Sequence, residues 1–430
     1  MDINEIYQLF KKHPLISTDT RSIKKNSLFF ALKGENFNGN KFAEEAIKLG
    51  AAYSIIDEKE FSQSDKLILV DDVLAALQQL ATHHRKQLDI PIIGITGTNG
   101  KTTTKELTQS VLSQQHVCYA TKGNLNNHIG VPLSVLEINN THEIAIIEMG
   151  ANHIGEIADL CEISQPTIGL ITNIGKAHLE GFGSFEGVKK AKSELYNYLG
   201  THDSPIFINS DNQILTELGD GLFQVTYGEN EKNQIIGQLQ TKKEHLVLSW
   251  KKHNYLGFTP PISTNLVGNY NFENVLAAIC IGNHFELTPE QITRGIESYR
   301  PSNNRSQLVK KKTNEIILDA YNANPVSLKA AIENIINSCR SQKLLIVGDM
   351  KELGKYSSEE HQAIVNLILE NSLNAYLIGP EFGKTNHDKL TIFSTTEDVE
   401  KHLENNPIEN TLILIKGSRS IGLEKLVEII

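Results

Sequence analysis

The sequence predicts an α/β protein of three consecutive domains, each built on a largely parallel sheet. Strands and helices alternate from about residue 85 to 300 and again over 301–430, the pattern of parallel sheets wrapped by helices. A polar, turn-rich stretch, Arg300-Pro301-Ser302-Asn303-Asn304, separates those two blocks. The 430 residues also exceed what one core usually holds, at ~100–200 residues per domain. The expected division is 1–84, 85–300 and 301–430.

Taken in order, residues 1–84 read as a small α/β unit. An opening helix over 2–12 leads to a strand, Ser27-Leu28-Phe29-Phe30-Ala31, and a helix through 42–47 stops at Gly50. Short apolar strands follow at 53–56 and 67–70. A helix from Asp71-Asp72, apolar at Val73, Leu74, Leu77 and Leu80, leads into the next unit. There, strands are expected at 90–96, 116–120, 144–148 and 167–172, with helices between them. Residues 233–258, with Trp250 and Tyr255, read as an antiparallel extension, and helices over 274–284 and 289–298 close the unit. The third block reads as strand 315–320, helix 326–339, strand 343–347, helix 358–369, strands 375–378 and 411–415, and a final helix to Ile430. This is a Rossmann-like, doubly wound sheet.

Hydrophobic residues are 40% and charged residues 21%, the balance of a folded globular chain rather than a disordered one. A net charge of −10 without a Lys/Arg-rich tract argues against nucleic acid as a partner, because phosphate contacts need a concentrated positive face. No apolar run approaches the ~18 residues of a membrane span, and the opening MDINEIYQLFKKH lacks a signal peptide's apolar segment. Cys118, Cys161, Cys280 and Cys339 are scattered singly, which fits a reducing cytoplasm and neither a disulfide framework nor a zinc knuckle.

The sharpest local signal is Ile92-Ile93-Gly94-Ile95-Thr96-Gly97-Thr98-Asn99-Gly100-Lys101-Thr102-Thr103. A buried strand runs through a glycine turn directly into a helix. Such a turn points consecutive N–H groups at a phosphate, and the helix dipole adds to them. Lys101 is then expected at the β/γ-phosphates and the Thr102 hydroxyl on Mg²⁺. The loop is a shortened relative of G-x-x-x-x-G-K-[ST], since position 95 is Ile and the first loop glycine is Gly97. The chain is expected to bind a nucleoside triphosphate. The Asn-Lys-x-Asp signature of guanine binders is absent, which favours adenine and hence ATP.

Read from the residues alone, further candidates lie at strand ends, where open α/β sheets bind ligands. Lys122-Gly123-Asn124-Leu125-Asn126-Asn127 is a polar loop after a strand. Glu148 ends an apolar strand of the phosphate-loop sheet, where a carboxylate can hold Mg²⁺. His178 follows the next strand.

The loop 97–103 resembles that of the Mur ligases, ATP-dependent amide-forming enzymes of peptidoglycan precursor synthesis, and the resemblance extends through all three blocks. It implies a UDP-sugar-binding first domain, an ATP-binding P-loop second domain and a third domain that binds the incoming amino component. Gly97, Thr98, Asn99, Gly100, Lys101, Thr102 and Thr103 would then bind nucleotide, with Asn271 and Asn274 of Gly268-Asn269-Tyr270-Asn271-Phe272-Glu273-Asn274 on adenine. Many relatives have His where this chain has Tyr270. Arg305 is similar to a linker arginine that reaches ATP phosphate, although many relatives carry Gly where this chain has Asn304, and Asp319 fits an acid that meets the ribose.

For metal, the resemblance implies two Mg²⁺ held through Thr102, Glu148, His178 and Lys192, the last as a CO₂-derived N-carbamate. A lysine of lowered pKa offers the neutral amine that such an adduct needs, and Lys189 and Lys190 stand beside it as alternatives. Lys101, His178 and Lys192 are the expected catalytic residues. Ser17, Thr18, Asp19, Thr20 and Arg21 are similar to the UDP-binding segment, and Lys122, Gly123, Asn124, Asn126 and Asn127 to the muramoyl-peptide loop. Asn322 and Asn324 of Tyr321-Asn322-Ala323-Asn324-Pro325, with Lys416, Ser418 and Arg419, fall where the amino component would be handled.

Branches that add a third amino acid read Tyr-Ala-His there and carry Asp-Asn-Pro-Arg, which is absent here. The implied substrates are UDP-N-acetylmuramoyl-tripeptide and D-alanyl-D-alanine, joined through an acyl phosphate, by a chain expected to be monomeric. A ligase for a different amino acid and a nucleotide-dependent switch that keeps the fold without the chemistry are the competing readings. The segment 348–354, Gly-Asp-Met-Lys-Glu-Leu-Gly, is a further match with no role assigned.

Overall fold

The structure, a computed structural model, describes residues 2–62, 64–240, 245–387 and 390–430. The opening helix, Ile3–Lys12, begins where the sequence supplies a reciprocal cap. Asp2 accepts from the Glu5 N–H, and the Glu5 carboxylate accepts from the Asp2 N–H. Ile6 and Phe10, four apart, form its buried face. With the helix Val73–Arg85 it covers a parallel sheet ordered Ile16–Ser17, Leu28–Phe30, Tyr53–Ile56, Leu67–Leu69. The two-residue strand Ile16–Ser17 and the hairpin Lys33–Gly34/Phe37–Asn38 are absent from the sequence reading, since neither is long enough to carry a period.

Val73–Arg85 also packs on the central unit, where Arg85 donates to the Ser164, Gln165 and Leu88 carbonyls. Among the described residues that unit holds a sheet of nine strands. Cys118–Ala120, Ile144–Glu148, Ile92–Thr96, Ile168–Ile171, Ile206–Asn209, Gln224–Gly228 and Ile235–Gln240 lie side by side and all run parallel. Every residue of Ile92–Thr96 and Ile144–Glu148 is buried, as expected for strands covered on both faces. Antiparallel pairing begins only at Val247–Lys252 and continues to Ile262–Ser263. The expected extension over 233–258 is thus corrected in part: Ile235–Gln240 joins the parallel sheet, and 241–244 lie outside the described residues.

The last unit orders its strands Gln307–Lys311, Asn314–Leu318, Leu412–Lys416, Lys343–Gly348, Asn374–Ile378, Thr391–Phe393, parallel apart from the first pair. Gln307–Lys311 escaped the reading because an edge strand this polar has no apolar run. The expected final helix is corrected too. Two 3₁₀ segments, Arg419–Ile421 and Leu423–Glu428, stand there, broken at Gly422 with its φ of +73°.

In both larger sheets the carboxyl ends of the strands point toward one cleft. The phosphate-loop strand lies between Ile144–Glu148 and Ile168–Ile171, where the chain switches direction across the sheet, and that is where open α/β sheets bind ligands.

Candidate active site

A cavity of about 720 Å³ occupies that cleft, lined by the phosphate loop below and by residues 305–330 and Lys416 above. The loop needs its glycines. Gly97 has φ +143°, and a Cβ there would lie 2.0 Å from the Thr172 hydroxyl. Gly100, φ +80°, caps the helix Lys101–Leu112, and a Cβ there would lie 2.4 Å from Asn274 Oδ1. The segment 172–175 holds the loop from outside. Asn173 accepts from the Thr98 and Asn99 N–H groups, Thr172 Oγ1 donates to the Asn99 carbonyl, and Gly175 N–H donates to Thr98 Oγ1.

Lys101 turns its ammonium onto the Gly97 and Thr98 carbonyls, at 2.7 and 3.0 Å. Burial pulls its pKa down to about 8, against the opposing pull of Glu148. Glu148 is 1% exposed. Its Oε1 accepts from Asn126 Nδ2 at 2.7 Å, whereas Oε2 has no hydrogen-bond partner. Lys105 Nζ lies 3.7 Å from that oxygen and donates to the Thr121 carbonyl. A buried carboxylate oxygen left without a donor suits a cation. Among the described residues no three His, Cys, Asp or Glu side chains converge as a complete cage. What exists is a partial shell, Glu148 with the buried Thr102 at the helix start, of the kind Mg²⁺ occupies when phosphates supply the other oxygens.

Lys192 does not line the cavity; it is buried behind it. Its Nζ sits 3.4 Å from the Ala151 carbonyl and 5.3 Å from the Phe182 ring centroid. Burial, reinforced by the charge of Lys101, depresses its pKa to about 7, with Glu156 and Glu194 pulling weakly the other way. The flanking lysines differ: Lys189 faces Glu217 at 3.4 Å and Lys190 is exposed. His178 lines the cavity, and its Nδ1 is 2.5 Å from Glu352 Oε2 of the last unit. That contact lowers the pKa of Glu352.

Asn271 and Asn274 are both buried and bonded to each other, Asn274 Nδ2 donating to Asn271 Oδ1 at 3.0 Å. Thr104 donates to Asn274, which fastens the pair to the loop helix. Tyr270 bonds Ser306 at 2.9 Å, and burial raises its pKa. Asn304, just before Arg305, has φ +56°. Asn is among the few side-chain-bearing residues that enter this left-handed region readily. Arg305 stacks on Tyr321, with Cζ 3.6 Å from the ring centroid, and Arg419 stands 5.2 Å from the same ring. Asp319 is engaged already: Lys416 Nζ reaches Oδ2 at 2.5 Å and the Ser306 N–H donates to Oδ1.

Asn322 and Asn324 line the cavity. Asn324 caps the helix Pro325–Asn337 and also bonds Asn99, Nδ2 to Oδ1 at 2.7 Å, so the last unit rests directly on the phosphate loop. Asn126 and Asn127 line it too, but Lys122, Gly123 and Asn124 do not, and Lys122 pairs with Glu137 on the surface. Ser418 is buried, its Oγ accepting from the Lys351 N–H. Ser17, Thr18, Asp19, Thr20 and Arg21 lie apart on the first sheet's edge; Asp19 caps a 3₁₀ turn and grips the Arg21 guanidinium. Sequence reasoning missed Lys105, Asn173, Tyr321 and Glu352. Only Lys105 carries a local signal, standing four residues after Lys101 on one helix face.

The segment 348–354 also gains an explanation. Asp349, fully buried, accepts from the Glu381 and Phe382 N–H groups, and His361 Nε2 accepts from the Met350 N–H. The segment therefore ties the strand Lys343–Gly348 to the helices Ser357–Glu370 and Pro380–Gly383.

A parallel-sheet phosphate-loop unit followed by a second doubly wound sheet, facing each other across one cavity, defines a nucleotide-dependent enzyme of the ligase kind. Family models agree: Mur ligase family, catalytic domain, matches residues 14–85; Mur ligase middle domain, 95–282; and Mur ligase, glutamate ligase domain, 304–419. The chain belongs to the Mur ligase family. It is 34% identical to the UDP-N-acetylmuramoyl-tripeptide–D-alanyl-D-alanine ligase of Bacillus subtilis (strain 168), over 96% of this chain and 92% of that protein. Among solved structures it resembles MurF from Acinetobacter baumannii, with TM-score 0.86, 29% identity, and 96% and 92% of the two chains covered. It is also similar to the MurF ligase from Thermotoga maritima in complex with ADP, with TM-score 0.85, 26% identity and 96% of each chain covered.

Proposed function

We propose that this chain uses ATP to join D-alanyl-D-alanine to UDP-N-acetylmuramoyl-tripeptide, in peptidoglycan synthesis. The observation that carries the reading is one cavity whose floor is a phosphate loop with a buried carboxylate oxygen that has no hydrogen-bond donor, and whose roof includes Tyr321, Asn322 and Asn324 of the last unit. The division of labour follows the sequence reading: 1–84 for the UDP-sugar, 85–300 for ATP and 301–430 for the dipeptide.

The free carboxylate of the tripeptide attacks the γ-phosphorus, the β–γ bridging P–O bond breaks, and ADP leaves an acyl phosphate. The dipeptide amine then adds to the acyl carbon. Its C–O bond to phosphate breaks and the nitrogen loses a proton, giving the amide and inorganic phosphate. Lys101 leaves its loop carbonyls for the β/γ-phosphates, whose oxygens the loop N–H groups also meet. Asn271 and Asn274 border the adenine, Asp319 the ribose, and Arg305 reaches phosphate from the linker. Glu148 and Thr102 would hold Mg²⁺, with His178 and a carbamate of Lys192 serving a second ion. Mg²⁺ supplies charge neutralisation on the transferred phosphoryl group. The depressed pKa of Lys192 supports the carbamate, because its neutral Nζ can add to CO₂ and shed a proton.

Asn99–Asn324 and the Arg305 linker support a last domain that closes over the nucleotide and excludes water from the acyl phosphate. We take the chain to work as a monomer in the cytoplasm; no helix among the described residues is long and apolar enough to cross a membrane. The test is ADP release with Mg-ATP, the UDP-linked tripeptide and D-alanyl-D-alanine, omitting each in turn. Release that needs all three, with the UDP-linked pentapeptide as product, is expected. Turnover with a single amino acid replacing the dipeptide would move the chain to another branch, and ATP binding without turnover would favour a switch.

A further inference from the structure

His178 and Glu352 meet across the boundary between the central and last units. Nδ1 is buried and lies 2.5 Å from Oε2, close enough for an ion pair but outside hydrogen-bond geometry, and it has no other partner among the described residues. Both residues hold left-handed backbones, His178 at φ +49° and Glu352 at φ +63°. Residues with side chains enter that region at a cost, and such conformations persist where surrounding structure enforces them, often at functional sites. The surroundings do enforce these. The Glu180 N–H donates to the Glu352 carbonyl, and Lys176 Nζ pairs with Glu360 at 2.6 Å. On the other side, the Lys351 N–H is fixed to Ser418 Oγ.

We propose that Glu352 is a positioning residue for His178, supplied by the last domain when it closes. A histidine that serves a metal gains orientation and basicity when its other ring nitrogen donates to a carboxylate. Here Glu352 takes Nδ1, fixing the tautomer with Nε2 as the nitrogen left for the cavity. The carboxylate comes from a different domain from the ring it orients. Closure of the last domain and completion of the His178 position are therefore one event. The proposal rests on the reading of His178 as a group that serves Mg²⁺.

The test uses the full chain with ADP as the nucleotide. It measures the Mg²⁺ concentration giving half-maximal ADP binding, by calorimetry, alongside the Mg²⁺ dependence of turnover. The expectation is that His178→Ala and Glu352→Ala each raise both midpoints, on the order of 10-fold or more. Glu352→Gln, which keeps an acceptor for Nδ1–H, should recover most of the loss. In the double variant, Glu352→Ala should add nothing to His178→Ala. Lys176→Ala breaks the neighbouring interdomain pair and should leave the Mg²⁺ midpoints where they are. A shift in His178→Ala without one in Glu352→Ala overturns the inference and leaves the His178 reading intact. No shift in His178→Ala overturns that reading and the inference with it. Equal shifts in Lys176→Ala and Glu352→Ala would make Glu352 a docking contact only, which also overturns the proposal.

Discussion

The floor and the roof of the cavity handle buried charge differently. On the floor, Glu148 Oε2 lacks a hydrogen-bond donor and has only a 3.7 Å ion pair with Lys105, and Lys101 reaches only carbonyls; behind the floor, Lys192 has one long contact to a carbonyl. On the roof, Asp319 and Lys416 hold each other, and Asn324 is satisfied by its own helix and by Asn99. Burying an unbalanced charge costs stability, so a fold keeps one where a ligand will balance it. On the function proposed above, the floor receives the charge of the nucleotide, and the roof brings side chains that already satisfy one another. Substitutions on the floor should therefore cost chemistry and return stability, whereas substitutions on the roof should cost stability first.

The largest expected effect is at Lys101. Lys101→Met should lower kcat by on the order of 10³-fold, as the loss of a charge aimed at the reacting phosphoryl group does, and steady-state assays read this directly. Lys192→Met is the sharper contrast. Its amine is disfavoured in the charged form within the fold, so below pH about 7 both folded and unfolded chains carry the proton and the whole penalty applies. Stability then rises with pH from about 7 toward the ordinary lysine value near ~10.4, as the folded chain sheds the proton first. In CO₂-free buffer, Lys192→Met should raise stability by on the order of a few kcal/mol at pH 7, an advantage that shrinks toward pH 10, while activity is lost. Denaturant unfolding at several pH values checks the sign.

On the roof, Asn324→Ala removes a helix cap together with the Asn99 contact. It should cost about 1 kcal/mol of stability, with a smaller loss of kcat than Lys101→Met, measured by unfolding and turnover on one preparation. The smallest effect belongs to the linker. Asn304→Gly should change stability by less than about 1 kcal/mol and leave kcat unaltered, since the turn's left-handed φ suits both residues, whereas Asn304→Val should destabilise by about 1–2 kcal/mol.

What was legible in the sequence follows the same division. The loop 97–103 could be read because glycine, lysine and threonine act on one another within a few residues, and strand alternation revealed two of the sheets for the same reason. Glu148 was visible only as the last residue of an apolar strand; its donor-free oxygen depends on Asn126 and Lys105, which come from other elements. The bond between Asn99 and Asn324 spans 225 positions, and no local pattern announces it. The resemblance to the Mur ligases supplied Lys192 and Arg305, which as residues are one more helix lysine and one more loop arginine. It could not supply the Glu352 contact to His178, which exists only when two domains are seen together.

The account turns on Glu148 as the point where the floor receives Mg²⁺ and phosphate. Calorimetric titration of ADP into Glu148→Gln and into Asn324→Ala, each with and without Mg²⁺, tests this most directly. The account predicts that Glu148→Gln loses the gain in ADP affinity that Mg²⁺ brings, while Asn324→Ala keeps it. A Glu148→Gln protein with the full Mg²⁺ gain, beside an Asn324→Ala protein that has lost it, would contradict the account.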